Sequence, residues 1–162
     1  MTARHVIEPA LRTGASVRLS LVSKHSPPVP AQIFYCSAAD GPDICIIKIG
    51  AQDLAVYGIQ ESDIPVLSCR VLGSQERISA MGYPIGDNNT LFNVPGQIVG
   101  GIGEFFLYPA VLSAAEGMSG GPVYDVDGRV IGVLKGVAAG YTYFTPIAQV
   151  RSQLGNASIA CM

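Results

Sequence analysis

Apolar and polar residues alternate along much of the chain, and this pattern predicts strands rather than helices. Val17, Leu19 and Leu21 are separated by polar residues, which is the two-residue period of a half-buried strand. Further segments rich in Ile, Val and Tyr predict strands at 31–37, 43–49, 66–72, 77–83, 90–99, 102–113, 122–125, 129–134 and 141–145. Turn-forming residues separate them at intervals of roughly eight to twelve residues, which is typical of all-β sandwiches and barrels.

Helical periodicity is clearest near the carboxyl end. Ile147, Val150 and Leu154 fall on one face of a predicted helix over 147–154, which Pro146 opens and Gly155 ends. Residues 6–11 predict at most one helical turn, because a proline interrupts them. Three prolines in 26–30 remove three backbone donors and predict an exposed loop.

Length and composition narrow the class of protein. The chain has 162 residues, of which 49% are apolar and 14% charged, so it fits one globular domain and excludes intrinsic disorder. A net charge of −2 gives no electrostatic reason to expect nucleic acid or an anionic membrane as a partner. The most apolar stretch, 98–115, contains Glu104 and Pro109, so no membrane span is predicted.

Four cysteines, Cys36, Cys45, Cys69 and Cys161, allow three pairings that the sequence leaves open. Their low density favours free thiols, so we expect no structural disulfide. Their spacing matches no zinc pattern, and two histidines do not complete one. We therefore expect neither a metal nor another cofactor.

The strongest chemical signal is Gly-Met-Ser-Gly-Gly-Pro at 117–122. Ser119 lies between glycines, which lets a substrate carbonyl approach both its hydroxyl and the neighbouring amides. By itself the Gly-x-Ser-x-Gly pattern also fits the nucleophile turn of an α/β-hydrolase, or a glycine-rich hairpin with an incidental serine.

The positions of the histidines and aspartates relative to Ser119 distinguish between these interpretations. Both histidines, His5 and His25, precede Ser119, whereas an α/β-hydrolase needs its histidine after the serine. The first aspartate is Asp40, which excludes the Asp-His-Ser order of subtilisin. Only the order His-Asp-Ser remains. His25 is followed by Ser-Pro-Pro, and we expect it to be solvated.

Several segments then resemble one family in order along the chain: Thr-Ala-Arg-His-Val at 2–6, residues 43–49, Ala-Met-Gly-Tyr-Pro at 80–84, and residues 117–122, 130–133 and 143–146. The chain resembles trypsin-like serine proteases of the chymotrypsin fold, especially bacterial and high-temperature-requirement peptidases. The resemblance implies an all-β fold with two antiparallel β-barrels and a short C-terminal helix. It divides the single domain 1–162 into a first barrel (1–75), a second barrel (76–145) and a helix (146–154).

The same resemblance implies catalytic roles. Ser119 would be the nucleophile, His5 the general base and then acid, and Asp43 the group that orients the imidazole. The amides of Gly117 and Ser119 would form the oxyanion hole. Asp40 is the rival to Asp43, but Asp-Gly-Pro at 40–42 predicts a turn.

A substrate pocket formed by Ser113, Lys135, Gly136 and Tyr141 is also implied. Ser113 would form the floor of this pocket. Because Ser113 is neutral, a buried Lys or Arg side chain of the substrate would lack a charged partner there, which disfavours both residues. We expect a small or medium apolar side chain instead. Met118 stands where relatives activated by cleavage carry an aspartate, so the resemblance implies a site that forms without such activation.

The sequence departs from the family pattern in the segment before His5. Only four residues precede His5, so the first barrel is expected to lack its opening strands, with Met1 an internal residue or a partner supplying them. The resemblance favours a secreted or periplasmic protein, although residues 1–5 do not resemble a signal peptide. We expect a serine endopeptidase acting on polypeptides without a cofactor. The alternative is a catalytically impaired homologue that binds peptides.

Overall fold

The computed structural model describes residues 1–20, 26–86, 90–103, 106–154 and 159–162. An open antiparallel sheet forms the N-terminal part, and a closed six-stranded antiparallel barrel forms the C-terminal part. A short helix follows the barrel. This architecture confirms the predicted all-β, chymotrypsin-like fold class, including a first barrel that is incomplete.

The open sheet has the strand order β1-β4-β3-β2. Its strands are β1 (Thr2–Ala3), β2 (Val17–Leu19), β3 (Val29–Cys36) and β4 (Ile44–Lys48). Helix α1 (Arg4–Thr13) follows β1 directly. The edge strand β1 pairs with β4 through only two residues, yet this pairing sets where α1 begins.

The barrel closes in the order β10-β7-β6-β5-β8-β9. Its strands are β5 (Arg77–Gly82), β6 (Phe92–Ile98), β7 (Tyr108–Leu112), β8 (Pro122–Tyr124), β9 (Val130–Ala138) and β10 (Tyr141–Pro146). Alternate side chains from these strands fill the interior, where Ile98, Ile131 and Phe144 are fully buried. Helix α2 (Ala51–Val56) and a 3₁₀ turn (Glu61–Asp63) precede the barrel in the chain.

A second apolar cluster, here the interface cluster, joins the sheet to the barrel. Its buried members are Ile44, Val130, Val133, Ile147, Val150 and Ile159. Five of them come from β4, β9 and the C-terminal helix α3 (Ile147–Leu154), and Ile159 comes from the last residues of the chain. Burying them fixes these elements together. The predicted helix over 147–154 is confirmed, and two of the three predicted face residues lie in this cluster; Gly155 is outside the described residues.

Several local predictions were wrong. Val29 and Pro30, which were expected in an exposed loop, begin β3 and pair with β2. Residues 66–72 form no strand, because their hydrogen bonds go to two separate places. Ser68 donates to Val130, whereas Cys69 donates to Met162 at the end of the chain. Helix α1 extends well beyond the single turn expected, since ion pairs from Glu8 to Arg4 and Arg12 support the turns around its proline.

The expectation of free thiols was also wrong. Disulfides join Cys36 to Cys45 and Cys69 to Cys161. The first links residues that face each other in the β3–β4 register, with Cα atoms 4.1 Å apart. The second ties the segment before the barrel to the chain end, across 92 residues. Cysteine density did not reveal either pair, because tertiary structure brings the partners together.

No helix in the described ranges is both long enough and apolar enough to cross a membrane.

The two disulfides should differ in their contribution to stability. A cross-link restricts the unfolded chain more when it closes a longer loop. The double substitution Cys69→Ala/Cys161→Ala should lower the free energy of unfolding by about 4–5 kcal/mol, and Cys36→Ala/Cys45→Ala by about 2–3 kcal/mol. Urea unfolding of both variants beside the parent protein measures this. A larger loss from the nine-residue loop would contradict the prediction.

An ion pair at the start of the barrel should make stability depend on pH. A hydrogen bond from Arg70 lowers the pKa of Glu76, assisted by the amide of Gly73. The ionised carboxylate therefore stabilises the fold above the ordinary glutamate pKa, and this contribution is lost as pH falls through the lower folded value.

Glu76→Gln should accordingly lower the melting temperature at pH 7 by about 1–3 °C, since the pair is partly exposed. The difference from the parent protein should shrink between pH 5 and pH 3. Thermal unfolding across this range checks it, with the exposed Glu61→Gln as control. A deficit in Glu76→Gln that persists unchanged at pH 3 would refute the explanation.

Candidate active site

His5 and Asp43 form a doubly hydrogen-bonded pair at the start of α1. The His5 ring nitrogen Nδ1 lies 2.7 Å from Asp43 Oδ2, and the His5 backbone N–H donates to Oδ1 at 2.9 Å. An ionised carboxylate only accepts hydrogen bonds, so Nδ1 carries the hydrogen and Nε2 keeps its lone pair. The His5 side chain is 50% exposed and that of Asp43 14% exposed. The pair therefore holds a basic nitrogen ready at an accessible position.

The backbone around Asp43 is held in an uncommon conformation. Its φ is +56°, in the left-handed region that costs a non-glycine residue of the order of 1 kcal/mol or more. The Asp43 carbonyl accepts a hydrogen bond from the Arg4 N–H at 3.0 Å. This bond ties the peptide after Asp43 to the residue before His5, so the two site residues share one local framework.

Ser119 lies on a tight turn before β8. The preceding Met118 is buried in the barrel core, and this anchors the turn from inside. On the other side Gly120 has φ +87°, and a Cβ there would collide with Thr2 of β1. Because only glycine permits this approach, the serine turn packs directly against the strand that leads into His5.

The Ser119 hydroxyl donates its hydrogen to the Lys135 carbonyl at 2.8 Å. The β9–β10 ladder pairs Leu134 with Phe144 and Gly136 with Tyr143, so Lys135 falls at an irregularity in the register. Its carbonyl is thereby available to the serine. A hydroxyl has one hydrogen, so Ser119 does not donate to His5 in this structure.

The amides of the serine turn differ in whether they are used. Met118 N–H donates to Ala115, and those of Gly120 and Gly121 donate to Leu134 and Met118. Within the described ranges, the N–H groups of Gly117 and Ser119 donate to no protein acceptor. Two free amides flanking the candidate nucleophile are the arrangement that can stabilise an oxyanion.

Two cavities meet at His5 and β9. One, of about 360 Å³, is lined by His5, Ala114, Ala115, Glu116, Ser119, Leu134, Lys135, Gly136 and Val137. The other, of about 690 Å³, is lined by His5, Gly101, Gly103, Leu107, Pro109, Lys135, Gly136, Val137, Ala138 and Tyr143. His5 and Ser119 therefore face one cavity, and the β9 segment 135–137 borders both. Among the described residues, the charged side chains along these walls, apart from the imidazole, are those of Glu116 and Lys135.

The structure brings together some of the predicted site residues and leaves others apart. Lys135 and Gly136 line both cavities, and their role in binding substrate stays a prediction. Ser113 and Tyr141 are exposed and line neither, so their pocket roles remain predictions. Asp40 lies in the expected turn. His25 is outside the described residues.

Sequence reasoning missed several features of the site. The walls from β7 and the segment before it, and Ala114 to Glu116, carry no motif that marks them. The Lys135 carbonyl is a backbone group and gives no signal in the sequence. In the described part of the chain, no three or more His, Cys, Asp or Glu side chains lie close enough together to bind a metal ion.

Comparison with known proteins identifies the family. Residues 1–133 match the trypsin-like peptidase domain family, so the chain belongs to that family of proteases. No individual protein of curated function matches the chain in sequence.

Solved structures share the fold at low sequence identity. The inactive form of a serine-to-alanine mutant of Rv3671c from M. tuberculosis H37Rv is 19% identical with a TM-score of 0.68, over 98% of this chain and 78% of that one. The serine endoprotease from Yersinia pestis is 20% identical with a TM-score of 0.69, over 94% of this chain and 51% of that one. Deg5 is 19% identical with a TM-score of 0.69, over 93% and 74% of the two chains.

Proposed function

We propose that the protein is a serine endopeptidase that hydrolyses peptide bonds through an acyl-enzyme. Ser119 is the nucleophile, His5 the general base and then acid, and Asp43 the orienting carboxylate. The observation that carries the proposal is that His5, hydrogen-bonded to Asp43, lines the same cavity as Ser119. Serine hydroxyls are weak nucleophiles without an adjacent base, so this proximity is what the chemistry needs.

The reaction begins when a substrate carbonyl enters the cavity beside Ser119. The Ser119 hydroxyl leaves the Lys135 carbonyl and turns to His5 Nε2, which takes its proton as Oγ attacks the carbonyl carbon. The negative oxygen of the tetrahedral intermediate accepts hydrogen bonds from the free amides of Gly117 and Ser119. Each such donor contributes about 2.7–4 kcal/mol to lowering the barrier.

The second half of the reaction uses the same groups. Protonated His5 gives its proton to the leaving amine, the C–N bond breaks, and an ester on Ser119 remains. Water then loses a proton to His5 and attacks the ester carbonyl. The C–O bond to Ser119 breaks, His5 returns the proton to Ser119 Oγ, and the acid product is released. Throughout, Asp43 keeps the imidazole in one tautomer and stabilises its positive form. No cofactor takes part.

The alternative is a homologue that binds peptides in the same cleft without cleaving them. The hydrogen bond from Ser119 to Lys135 is the observation that favours it, because the nucleophile is not engaged with its base. We prefer the peptidase, since the Asp43–His5 pair is already formed and its imidazole lines the same cavity as Ser119. The two disulfides suit a protease of an oxidising compartment, which agrees with secretion or a periplasmic location.

A fluorophosphonate probe separates the two functions. The parent protein should be labelled on Ser119, Ser119→Ala should not be labelled, and His5→Ala should react at least 100-fold more slowly because its base is gone. Ser152→Ala is the matched control, since that exposed hydroxyl also donates to a backbone carbonyl but lies on α3. A folded parent protein that resists the probe and binds peptides would instead establish the binding module.

Substrate preference gives an independent test of the cavities. We expect peptides with Val or Leu before the cleaved bond to have a kcat/KM at least about 10-fold above matched peptides with Lys, because the walls are mainly apolar. A set of peptides differing only at that position measures it. If Lys is preferred and Glu116→Gln abolishes the preference, Glu116 binds a basic substrate side chain. The expected preference for an apolar residue is then wrong.

A further inference from the structure

Thr145 makes a buried hydrogen bond to the loop that carries Asp43. It belongs to β10 and is 1% exposed, with Phe144 and Ile147 near it fully buried. Its hydroxyl donates to the Pro42 carbonyl at 2.8 Å, across 103 positions of sequence. This contact joins the closed barrel to the open sheet immediately before the candidate orienting carboxylate.

The hydrogen bond from Thr145 holds the Pro42–Asp43 peptide, whose orientation helps to set the backbone conformation of Asp43. The Pro42 carbonyl belongs to the peptide before Asp43, and the Asp43 carbonyl belongs to the peptide after it. Thr145 holds the first and the Arg4 N–H holds the second. With both peptides held, Asp43 is kept at its positive φ, from which its carboxylate reaches the ring and the backbone of His5.

We propose that Thr145 is a positioning residue for catalysis, which holds the Pro42–Asp43 peptide so that Asp43 keeps His5 in its reactive orientation. The inference rests on the proposed function for its effect on rate. Thr145 lines neither cavity, so it acts through Asp43 rather than by touching substrate. Pro42 is itself buried, so solvent is poorly placed to replace the lost donor.

Thr145→Val tests the proposal because it keeps the side-chain shape and removes the hydroxyl. We expect kcat for a peptide substrate to fall about 10–100-fold with KM nearly unchanged. The low-field proton resonance of the His5 Nδ1–H, identified by its loss in His5→Ala, should shift or broaden. Thr145→Ser, which restores a donor, should recover both.

Thr142→Val is the matched control. Thr142 lies on the same strand, is equally buried at 1% exposure, and donates its hydroxyl to the Leu112 carbonyl at 3.1 Å within the barrel. Its loss should reduce the melting temperature by a similar amount, yet leave kcat and the His5 resonance as in the parent protein. This comparison separates positioning from a general loss of stability.

The outcomes distinguish this inference from the proposed function. If Thr145→Val matches Thr142→Val in kcat and in the His5 resonance, Thr145 has no positioning role, whether or not the protein is a peptidase. If the parent protein shows no hydrolysis or labelling, the proposed function fails. The His5 Nδ1–H resonance then tests by itself whether the Thr145 hydrogen bond positions Asp43. Should Thr145→Val not fold, Thr145→Ala is measured in its place against Thr142→Ala, with the same readings.

Discussion

The interface cluster between the open sheet and the barrel is the interaction on which the candidate site depends. The imidazole and carboxylate come from the sheet side, whereas the nucleophile and its free amides come from the barrel. Neither half can hold the other's groups in place. Ile44 follows Asp43 directly and packs in the cluster with Val133, Ile147 and Val150. Apolar burial therefore sets the relative position of groups that share no sequence neighbourhood.

Specific contacts at the border of this cluster fix the position of the open sheet relative to the barrel more precisely than apolar packing does. Gly120 lets the serine turn approach β1 closely, and Thr145 reaches across to the loop before Asp43. The first is a close steric fit and the second a short, directional hydrogen bond, whereas the cluster is held by non-directional apolar packing. An apolar interface alone tolerates small sliding motions, but hydrogen bonds and backbone contact at its border restrict them. The precision of the site thus comes from polar contacts supported by an apolar base.

Much of the fold could be predicted from the sequence, and the three side chains of the candidate site were proposed from it. Strand periodicity identified most barrel strands, because each strand buries one face and exposes the other. The order of residue types left only His-Asp-Ser, and the segments around His5, Asp43 and Ser119 resembled one family. The exposed positions of Ser113 and Tyr141 were not predictable, since which face of a loop or strand end meets a cavity depends on packing.

Other features carry no linear signal at all. The Lys135 carbonyl and the amides of Gly117 and Ser119 are backbone groups, identical in chemistry at every residue. Both disulfides depend on which cysteines the fold brings together, and the segment 66–72 divides its hydrogen bonds between β9 and the chain end. In each case the outcome depends on which backbone or side-chain groups the fold brings together, and the local sequence pattern does not indicate it.

The two halves of the candidate site differ in how firmly they are set. Asp43 and His5 are joined by two hydrogen bonds and a constrained backbone, so the base stays oriented whether or not substrate is present. Ser119 instead rests on a carbonyl of β9, in the segment that borders both cavities. A peptide occupying those cavities meets β9 beside the resting acceptor and His5 at once. In the proposed mechanism, exchange of the serine's acceptor would therefore accompany substrate entry, whereas the imidazole is already oriented by Asp43.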